Sequence, residues 1–164
     1  MRTVIFAHGL EGRPDGRKPT ALLEAGLEVI APDGRGKVLA ERIADLEAVL
    51  ADRTDVVLVG SSYGGAAAAI VAMRHPERLA ALVLLAPAIV FRDPPLDHPE
   101  RVVIPPSVPC TVIHAVGDDI VPVGASRDLV GRSPHVRLVE VDDEHALRGS
   151  IPLLVRTVLD AARR

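Results

Sequence analysis

Six short runs of valine, isoleucine and leucine recur along the chain, and they constrain its fold more than any other feature. Each run is nearly continuous rather than alternating, which is typical of strands that are buried on both faces of a sheet. Helix-like stretches follow all but one of the runs, and this alternation predicts parallel βαβ units with helices on both faces of the sheet. The predicted strands are Thr3–Ala7, Glu28–Ala31, Asp55–Gly60, Ala80–Ala86, Cys110–Ala115 and Val136–Val141. The predicted helices are Thr20–Ala25, Val38–Ala51, Gly65–Arg74, Gly124–Gly131 and Ile151–Arg163.

Composition narrows the classes of partner that such a chain could have. A length of 164 residues predicts a single domain over residues 1–164. The net charge is −3 and no basic block is present, so nucleic acid is not an expected partner. The lone Cys110 excludes an internal disulfide and a multi-cysteine zinc cluster. Because no apolar run is long enough for a membrane span or a signal peptide, we expect a soluble, cytoplasmic protein. Its oligomeric state is left open.

The connection between the fourth and fifth strands differs from the others. Residues 87–109 contain seven prolines, which leave no room for a long helix. We therefore predict a proline-rich loop over residues 88–108, and loops of this length in compact domains are usually functional or mobile.

The pentapeptide Gly60-Ser61-Ser62-Tyr63-Gly64 follows the third strand and precedes a helix of small residues. It matches the pattern G-x-S-x-G in the strand, turn and helix context that a nucleophilic serine requires. A serine on such a sharp turn projects its hydroxyl outward, and side chains two residues before and after it would collide. The glycines at 60 and 64 remove this collision and point to Ser62 as the nucleophile. A glycine- and serine-rich loop that binds phosphate at a helix start is the alternative interpretation.

A nucleophilic serine needs a base and an orienting carboxylate, and candidates for both follow later strands. Asp118 and Asp119 come after the fifth strand, and His145 comes after the sixth. Because the carboxyl ends of parallel strands meet at one edge of a sheet, these residues are expected near Ser62. The chain order serine, aspartate, histidine is that of the α/β-hydrolase fold.

Four motifs together resemble a small bacterial α/β hydrolase of the serine esterase type. They are His8-Gly9-Leu10, Gly60–Gly64, Gly117–Pro122 and Glu144–Leu147, and they run almost from end to end of the chain. The resemblance implies Ser62 as nucleophile, His145 as general base, and the backbone N–H groups of Leu10 and Tyr63 as an oxyanion hole. It aligns Asp118 with the catalytic acid, four residues before Pro122, with its neighbour Asp119 as the alternative.

The resemblance also implies a reduced α/β-hydrolase fold. Larger relatives begin with two further strands, whereas here His8-Gly9 follows the first strand. We therefore expect a three-layer α/β/α sandwich with six parallel strands in the order 2-1-3-4-5-6, and no cap domain. Gly9, Gly60 and Gly64 would shape the site, and His8 would be a structural residue beside the oxyanion loop. His114 is expected to be a half-buried side chain with its polar groups satisfied.

The expected activity is hydrolysis of a small carboxylic ester or thioester through an acyl-enzyme, in an open and shallow site. No cofactor and no metal are implied, and the expected partner is a small-molecule acyl substrate. A catalytically silent binding protein on the same fold is the alternative, because fold alone does not fix function. The presence of all three candidate side chains and both glycines favours the enzyme.

Overall fold

All six predicted strands form in the computed structural model, which describes residues 1–164, and they pair in parallel. Their order, β2-β1-β3-β4-β5-β6, confirms the predicted order. The strands are β1 (Val4–Ala7), β2 (Val29–Ile30), β3 (Val56–Ser61), β4 (Leu79–Leu85), β5 (Cys110–Ala115) and β6 (Arg137–Val141). The helices are α1 (Arg17–Glu24), α2 (Leu39–Leu50), α3 (Tyr63–Arg74), α4 (Val123–Arg132) and α5 (Ile151–Arg163). Single 3₁₀ turns occupy Pro76–Arg78, Pro99–Arg101 and Arg148–Ser150.

Helices cover both faces of the sheet, as the three-layer prediction required. Helices α2, α3 and α4 pack with one face into one apolar cluster, and α1 and α5 pack with the other face into a second. All six residues of β3 are buried. Val56 and Leu58 belong to the first cluster, while Val57 and Val59 belong to the second. This two-sided burial explains why the strands are continuous apolar runs instead of alternating ones.

Most element boundaries differ from the sequence prediction by one or two residues, and two of the differences have a clear physical reason. Strand β2 has two residues rather than four, because it is an edge strand that pairs only at Val29 and Ile30 with β1. Helix α1 begins at Arg17 rather than at Thr20. Pro19 therefore lies in the first turn of the helix, where its missing N–H costs nothing because that group has no intrahelical acceptor.

The proline-rich segment between β4 and β5 contains one 3₁₀ turn and no cap domain. It is nevertheless packed against the first apolar cluster through side chains that are less than 5% exposed. The hydroxyl of Ser133 accepts a hydrogen bond from Ile104 N–H at 2.9 Å, and Arg132 donates to the carbonyl of Val102 at 2.9 Å. The side chains of the segment that belong to this cluster are Ile89, Leu96, Val102, Ile104 and Val108.

The two ends of the described chain lie against each other. Arg2 N–H donates to the carbonyl of Ala162 at 3.0 Å, and the Arg2 guanidinium donates to the carbonyl of Ala161 at 3.2 Å. The segment leading into β1 is thereby fixed to the last turns of α5. Helix α5 has 13 residues, and no helix in the structure combines the length and hydropathy that a bilayer crossing needs.

The burial pattern predicts which leucine the fold depends on. Leu58 in the central strand β3 is 1% exposed, whereas Leu23 on α1 is 51% exposed. Leu58→Ala should lower the free energy of unfolding by about 2–5 kcal/mol because it leaves a cavity. Leu23→Ala should change it by less than about 0.5 kcal/mol. Urea unfolding of both variants tests this, and an equal loss in the two would contradict the assigned core.

Candidate active site

Ser62 lies in a strained turn between β3 and α3. Its backbone has φ 53° and ψ −113°, a region that residues other than glycine rarely adopt. A Cβ atom at Gly60 would lie 2.6 Å from the carbonyl oxygen of Gly64, and one at Gly64 would overlap the carbonyl oxygen of Ala7. Both positions therefore require glycine if strand, turn and helix are to pack this closely.

A continuous chain of hydrogen bonds joins Ser62 to two side chains from distant loops. Asp118 follows β5 and His145 follows β6, so both reach the carboxyl edge of the sheet. The distance from His145 Nδ1 to Asp118 Oδ2 is 2.7 Å, and that from His145 Nε2 to Ser62 Oγ is 2.9 Å. An ionised carboxylate only accepts, so Nδ1 carries the proton. The Nε2 atom is then free to accept the hydrogen bond that the Ser62 hydroxyl donates.

The Asp118 carboxylate is held in its ionised form by its hydrogen bonds. Its side chain has no exposed surface, and burial alone would raise its pKa. The hydrogen bond with His145 and those from the backbone N–H groups of Val121 and Ile120 outweigh burial, so the pKa lies below its ordinary value. The two N–H groups donate to Oδ1 at 2.8 and 2.9 Å, which leaves Oδ2 for the histidine. Asp119 is exposed and makes no hydrogen bond to His145.

A second histidine contacts the same carboxylate, which the sequence did not reveal. His114 is completely buried, not half-buried as expected. Its Nε2 lies 2.8 Å from the Val121 carbonyl oxygen and 3.2 Å from Asp118 Oδ2. Because a carbonyl only accepts, Nε2 carries the proton, and Nδ1 accepts from the Ser126 hydroxyl at 2.7 Å. The one signal in the sequence was the position of His114, four residues before Asp118 at the end of a strand.

The loop after β1 carries the backbone N–H group of Leu10 and lies next to the turn at Ser62. A Cβ atom at Gly9 would lie 3.5 Å from the Ser62 Cβ, so this loop runs directly against the turn. Leu10 N–H makes no hydrogen bond within the protein. Tyr63 is the first residue of α3, and an N–H at that position has no intrahelical acceptor. Two backbone donors without partners in the protein therefore lie in the segments that adjoin Ser62.

The His8 side chain links this loop to the segment after β2. It is 3% exposed, and its Nδ1 lies 2.7 Å from the Gly9 carbonyl oxygen. Its Nε2 accepts from Gly34 N–H at 2.9 Å, so the ring is neutral with the proton on Nδ1. His8 therefore makes no hydrogen bond to Ser62 Oγ, in line with the structural role expected from the sequence.

Two further charged side chains near the site have shifted pKa values. Asp33, three residues after β2, accepts three hydrogen bonds from the Arg35 side chain, and these together with the Arg35 backbone N–H hold its pKa low. Burial, aided by the nearby cations Arg148 and Arg17, lowers the pKa of Lys18. No group of three or more histidine, cysteine or acidic side chains lies close enough together to bind a metal ion.

Comparison with known proteins agrees with this architecture. The model of a family described as alpha/beta hydrolase fold matches residues 39–106, a span that includes Ser62. A protein of the alpha/beta hydrolase superfamily from Xanthomonas campestris pv. campestris is 27% identical, with a TM-score of 0.80 over 99% of this chain and 97% of that one. No curated protein matches the sequence.

Two further solved structures share the fold at lower identity. Alpha/beta hydrolase domain-containing protein 10 from mouse is 22% identical, with a TM-score of 0.83 over 96% of this chain and 88% of that one. Est1E from Butyrivibrio proteoclasticus is 19% identical, with a TM-score of 0.81 over 99% and 89%. The chain has the α/β-hydrolase fold, which confirms the resemblance inferred from its motifs. The fold and its neighbours support a hydrolase.

The burial of His114 predicts a large effect on stability. His114→Ala removes a buried side chain and leaves the Ser126 hydroxyl without its acceptor, so it should lower the free energy of unfolding by about 2–4 kcal/mol. His75→Ala is the matched control, because His75 is 36% exposed and bonds only to the Glu47 side chain. Thermal and urea unfolding measure both. A loss no greater than in the control would mean that His114 does not support the loop of Asp118.

Proposed function

We propose that the protein is a serine hydrolase that cleaves a small carboxylic ester or thioester through an acyl-enzyme intermediate. The observation that carries the proposal is the hydrogen-bond chain from Ser62 through His145 to Asp118. Three residues separated widely in sequence meet at 2.7 and 2.9 Å with the hydrogen-bond polarity that general-base catalysis needs.

In the first step, Ser62 Oγ attacks the carbonyl carbon while its proton passes to His145 Nε2. Asp118 accepts from Nδ1–H and stabilises the imidazolium that forms. The low pKa of the Asp118 carboxyl keeps it ionised throughout, so the proton stays on the imidazole. The tetrahedral intermediate then collapses, the bond to the leaving group breaks, and His145 returns its proton to the alcohol or thiol that departs.

The negative charge on the carbonyl oxygen is assigned to the N–H groups of Leu10 and Tyr63. Both donors are unpaired and adjoin Ser62. Fixed backbone donors of this kind stabilise the charge that develops in the transition state more than the neutral substrate. The start of α3 adds the positive end of a helix dipole at the same place.

In the second step, water hydrolyses the acyl-enzyme. His145 Nε2 takes a proton from the water as it attacks the ester carbonyl, and the proton returns to Ser62 Oγ when the acid leaves. The ring edge is accessible to water, since the His145 side chain is 22% exposed.

The surroundings of Ser62 favour an acyl group that lies on the surface of the protein. The chain has two phenylalanines and one tyrosine, so few aromatic rings are available to line a deep pocket. Five large apolar side chains in the loops at the carboxyl edge of the sheet are instead 41–62% exposed. They are Leu10, Val90, Phe91, Val116 and Ile120.

Replacing Ser62 tests its role as the nucleophile. Ser62→Ala should abolish hydrolysis of a short-chain p-nitrophenyl ester and labelling by a fluorophosphonate, while circular dichroism stays that of the folded protein. Ser61→Ala is the matched control and should keep both properties, because Ser61 ends β3 and makes no hydrogen bond to His145. Labelling that survives Ser62→Ala would assign the nucleophile to another residue. Loss of labelling only in Ser61→Ala would move the role to that serine.

Replacing Asp118 tests its role as the acid that orients His145. Asp118→Asn should lower kcat by about 10³–10⁴-fold, since an amide at this place favours the wrong tautomer of the histidine. Asp119→Asn should leave kcat close to that of the unmodified protein, because the Asp119 side chain is exposed. Steady-state kinetics on the same ester measure both variants, and the reverse result would transfer the role to Asp119.

A binding protein without catalysis is the competing proposal, favoured by no particular contact in the structure. The fluorophosphonate experiment separates the two, since a binding protein would bind an acyl ligand without reacting covalently at Ser62. A wild-type protein that neither hydrolyses esters or thioesters nor labels would favour binding.

A further inference from the structure

Arg42 on α2 is the only lysine or arginine that is buried in the protein. It is 5% exposed and lies on the face of α2 formed by Leu39, Ile43, Leu46 and Leu50. Its guanidinium has no carboxylate within 4.0 Å. Asp45, on the same helix, pairs with Lys37 instead. Burial lowers its pKa. An unpaired buried cation is costly, so the groups that surround it call for an explanation.

Its principal partners are carbonyl oxygens of the loop that follows β1. Arg42 Nη1 donates to the His8 carbonyl at 2.6 Å, and Nη2 lies 3.5 Å from the Gly9 carbonyl. The Gly9 carbonyl also accepts from His8 Nδ1–H at 2.7 Å and from Gly12 N–H at 3.1 Å. These donors converge on one short stretch of backbone and hold it in a single orientation.

That orientation determines where Leu10 N–H points. The carbonyl of Gly9 and the N–H of Leu10 belong to the same peptide group, which is planar and trans. Groups that hold the carbonyl on one side of the loop therefore direct the N–H to the opposite side. Arg42 and His8 both donate to the Gly9 carbonyl, so Leu10 N–H points away from them, and it has no acceptor within the protein.

The same guanidinium contacts the second donor residue. Its central carbon lies 4.9 Å from the centre of the Tyr63 ring, over the ring face. The Tyr63 hydroxyl donates to Asp93 Oδ2 at 2.6 Å, and burial followed by this hydrogen bond raises the pKa of Tyr63 to about 12. The neutral ring is thus held between Arg42 and Asp93.

We infer that Arg42 is a positioning residue that holds the Leu10 and Tyr63 backbone donors at the spacing that an oxyanion needs. The inference rests on the proposed function and adds a residue to it. Arg42 touches neither Ser62 nor His145 through hydrogen bonds, so it acts through the loop and the ring. Its positive charge, which no carboxylate within 4.0 Å neutralises, also favours a negative charge at the two donors.

The test compares Arg42→Ala with a remote arginine of similar bonding. Arg42→Ala should lower kcat for a short-chain p-nitrophenyl ester by about 10- to 100-fold and change KM by less than about twofold, because only transition-state stabilisation is lost. Methylguanidinium ion added to Arg42→Ala should restore part of kcat by filling the vacated space. Arg78→Ala is the matched control, since Arg78 donates to the carbonyls of Leu50, Ala51 and Arg53 at the far end of α2. It should leave kcat unchanged.

A second variant keeps the arginine and displaces it. A Cβ atom at Gly34 would lie 2.9 Å from Arg42 Cζ, so Gly34→Ala should push the guanidinium from its place and lower kcat in the same direction. Amide signals of Leu10 and Tyr63 in ¹H–¹⁵N spectra should shift in Gly34→Ala and Arg42→Ala but not in Arg78→Ala. If Arg42→Ala does not fold, Gly34→Ala decides the question.

Three results would overturn the inference. They are a folded Arg42→Ala or Gly34→Ala with unchanged kcat, a rise in KM in place of the fall in kcat, and no recovery with methylguanidinium. Wild-type protein that is inactive on every ester and thioester would contradict the proposed function itself, and the role of Arg42 would fall with it. An active wild type whose kcat does not depend on Arg42 would contradict the role of Arg42 alone.

Discussion

The left-handed turn at Ser62 is the constraint on which the rest of the site depends. It exists because β3, the turn and α3 approach so closely that Gly60 and Gly64 have no room for a side chain. The surrounding sheet compensates for the strain, since β3 is central and buried on both faces. Ser62 N–H donates to the Leu85 carbonyl at 2.8 Å, and Ala88 N–H donates to the Ser62 carbonyl at 2.9 Å. The neighbouring strand β4 and the segment after it therefore hold the turn from one side.

Parallel pairing then brings the other groups to the same edge. The loop after β1 adjoins Ser62 because β1 and β3 are neighbours, although α1, β2 and α2 separate them along the chain. Asp118 and His145 come from the next strands on the other side of β4. The site thus spans the point at which the strand order changes direction, where open α/β sheets carry their ligands. The reduced sheet retains every strand that supports one of these loops, and β2 supports His8 through Gly34 N–H.

The sequence predicted the fold and the groups that meet at Ser62 because both depend on local patterns. Two-sided burial leaves continuous apolar runs, and the turn leaves its glycines, so both can be recognised without tertiary information. The partners of His8, His114 and Arg42 depend instead on how loops and helices register against each other, which no local pattern encodes. Arg42 did leave one trace, a charge on the apolar face of an amphipathic helix. His114 could be assigned a strand end but not its contact with Asp118.

The contact between Arg2 and the end of α5 joins the supports of two parts of the candidate site. Residue 2 leads into the strand that carries the Leu10 loop, and α5 follows the loop that carries His145. One backbone and one side-chain hydrogen bond from Arg2 therefore join the supports of the Leu10 loop and of the loop that carries His145. Breaking these bonds is therefore expected to disturb the supports of His145 and of the Leu10 amide together, before the central strands separate. Loss of the site geometry and unfolding of the sheet are for this reason separate events, and the first can precede the second.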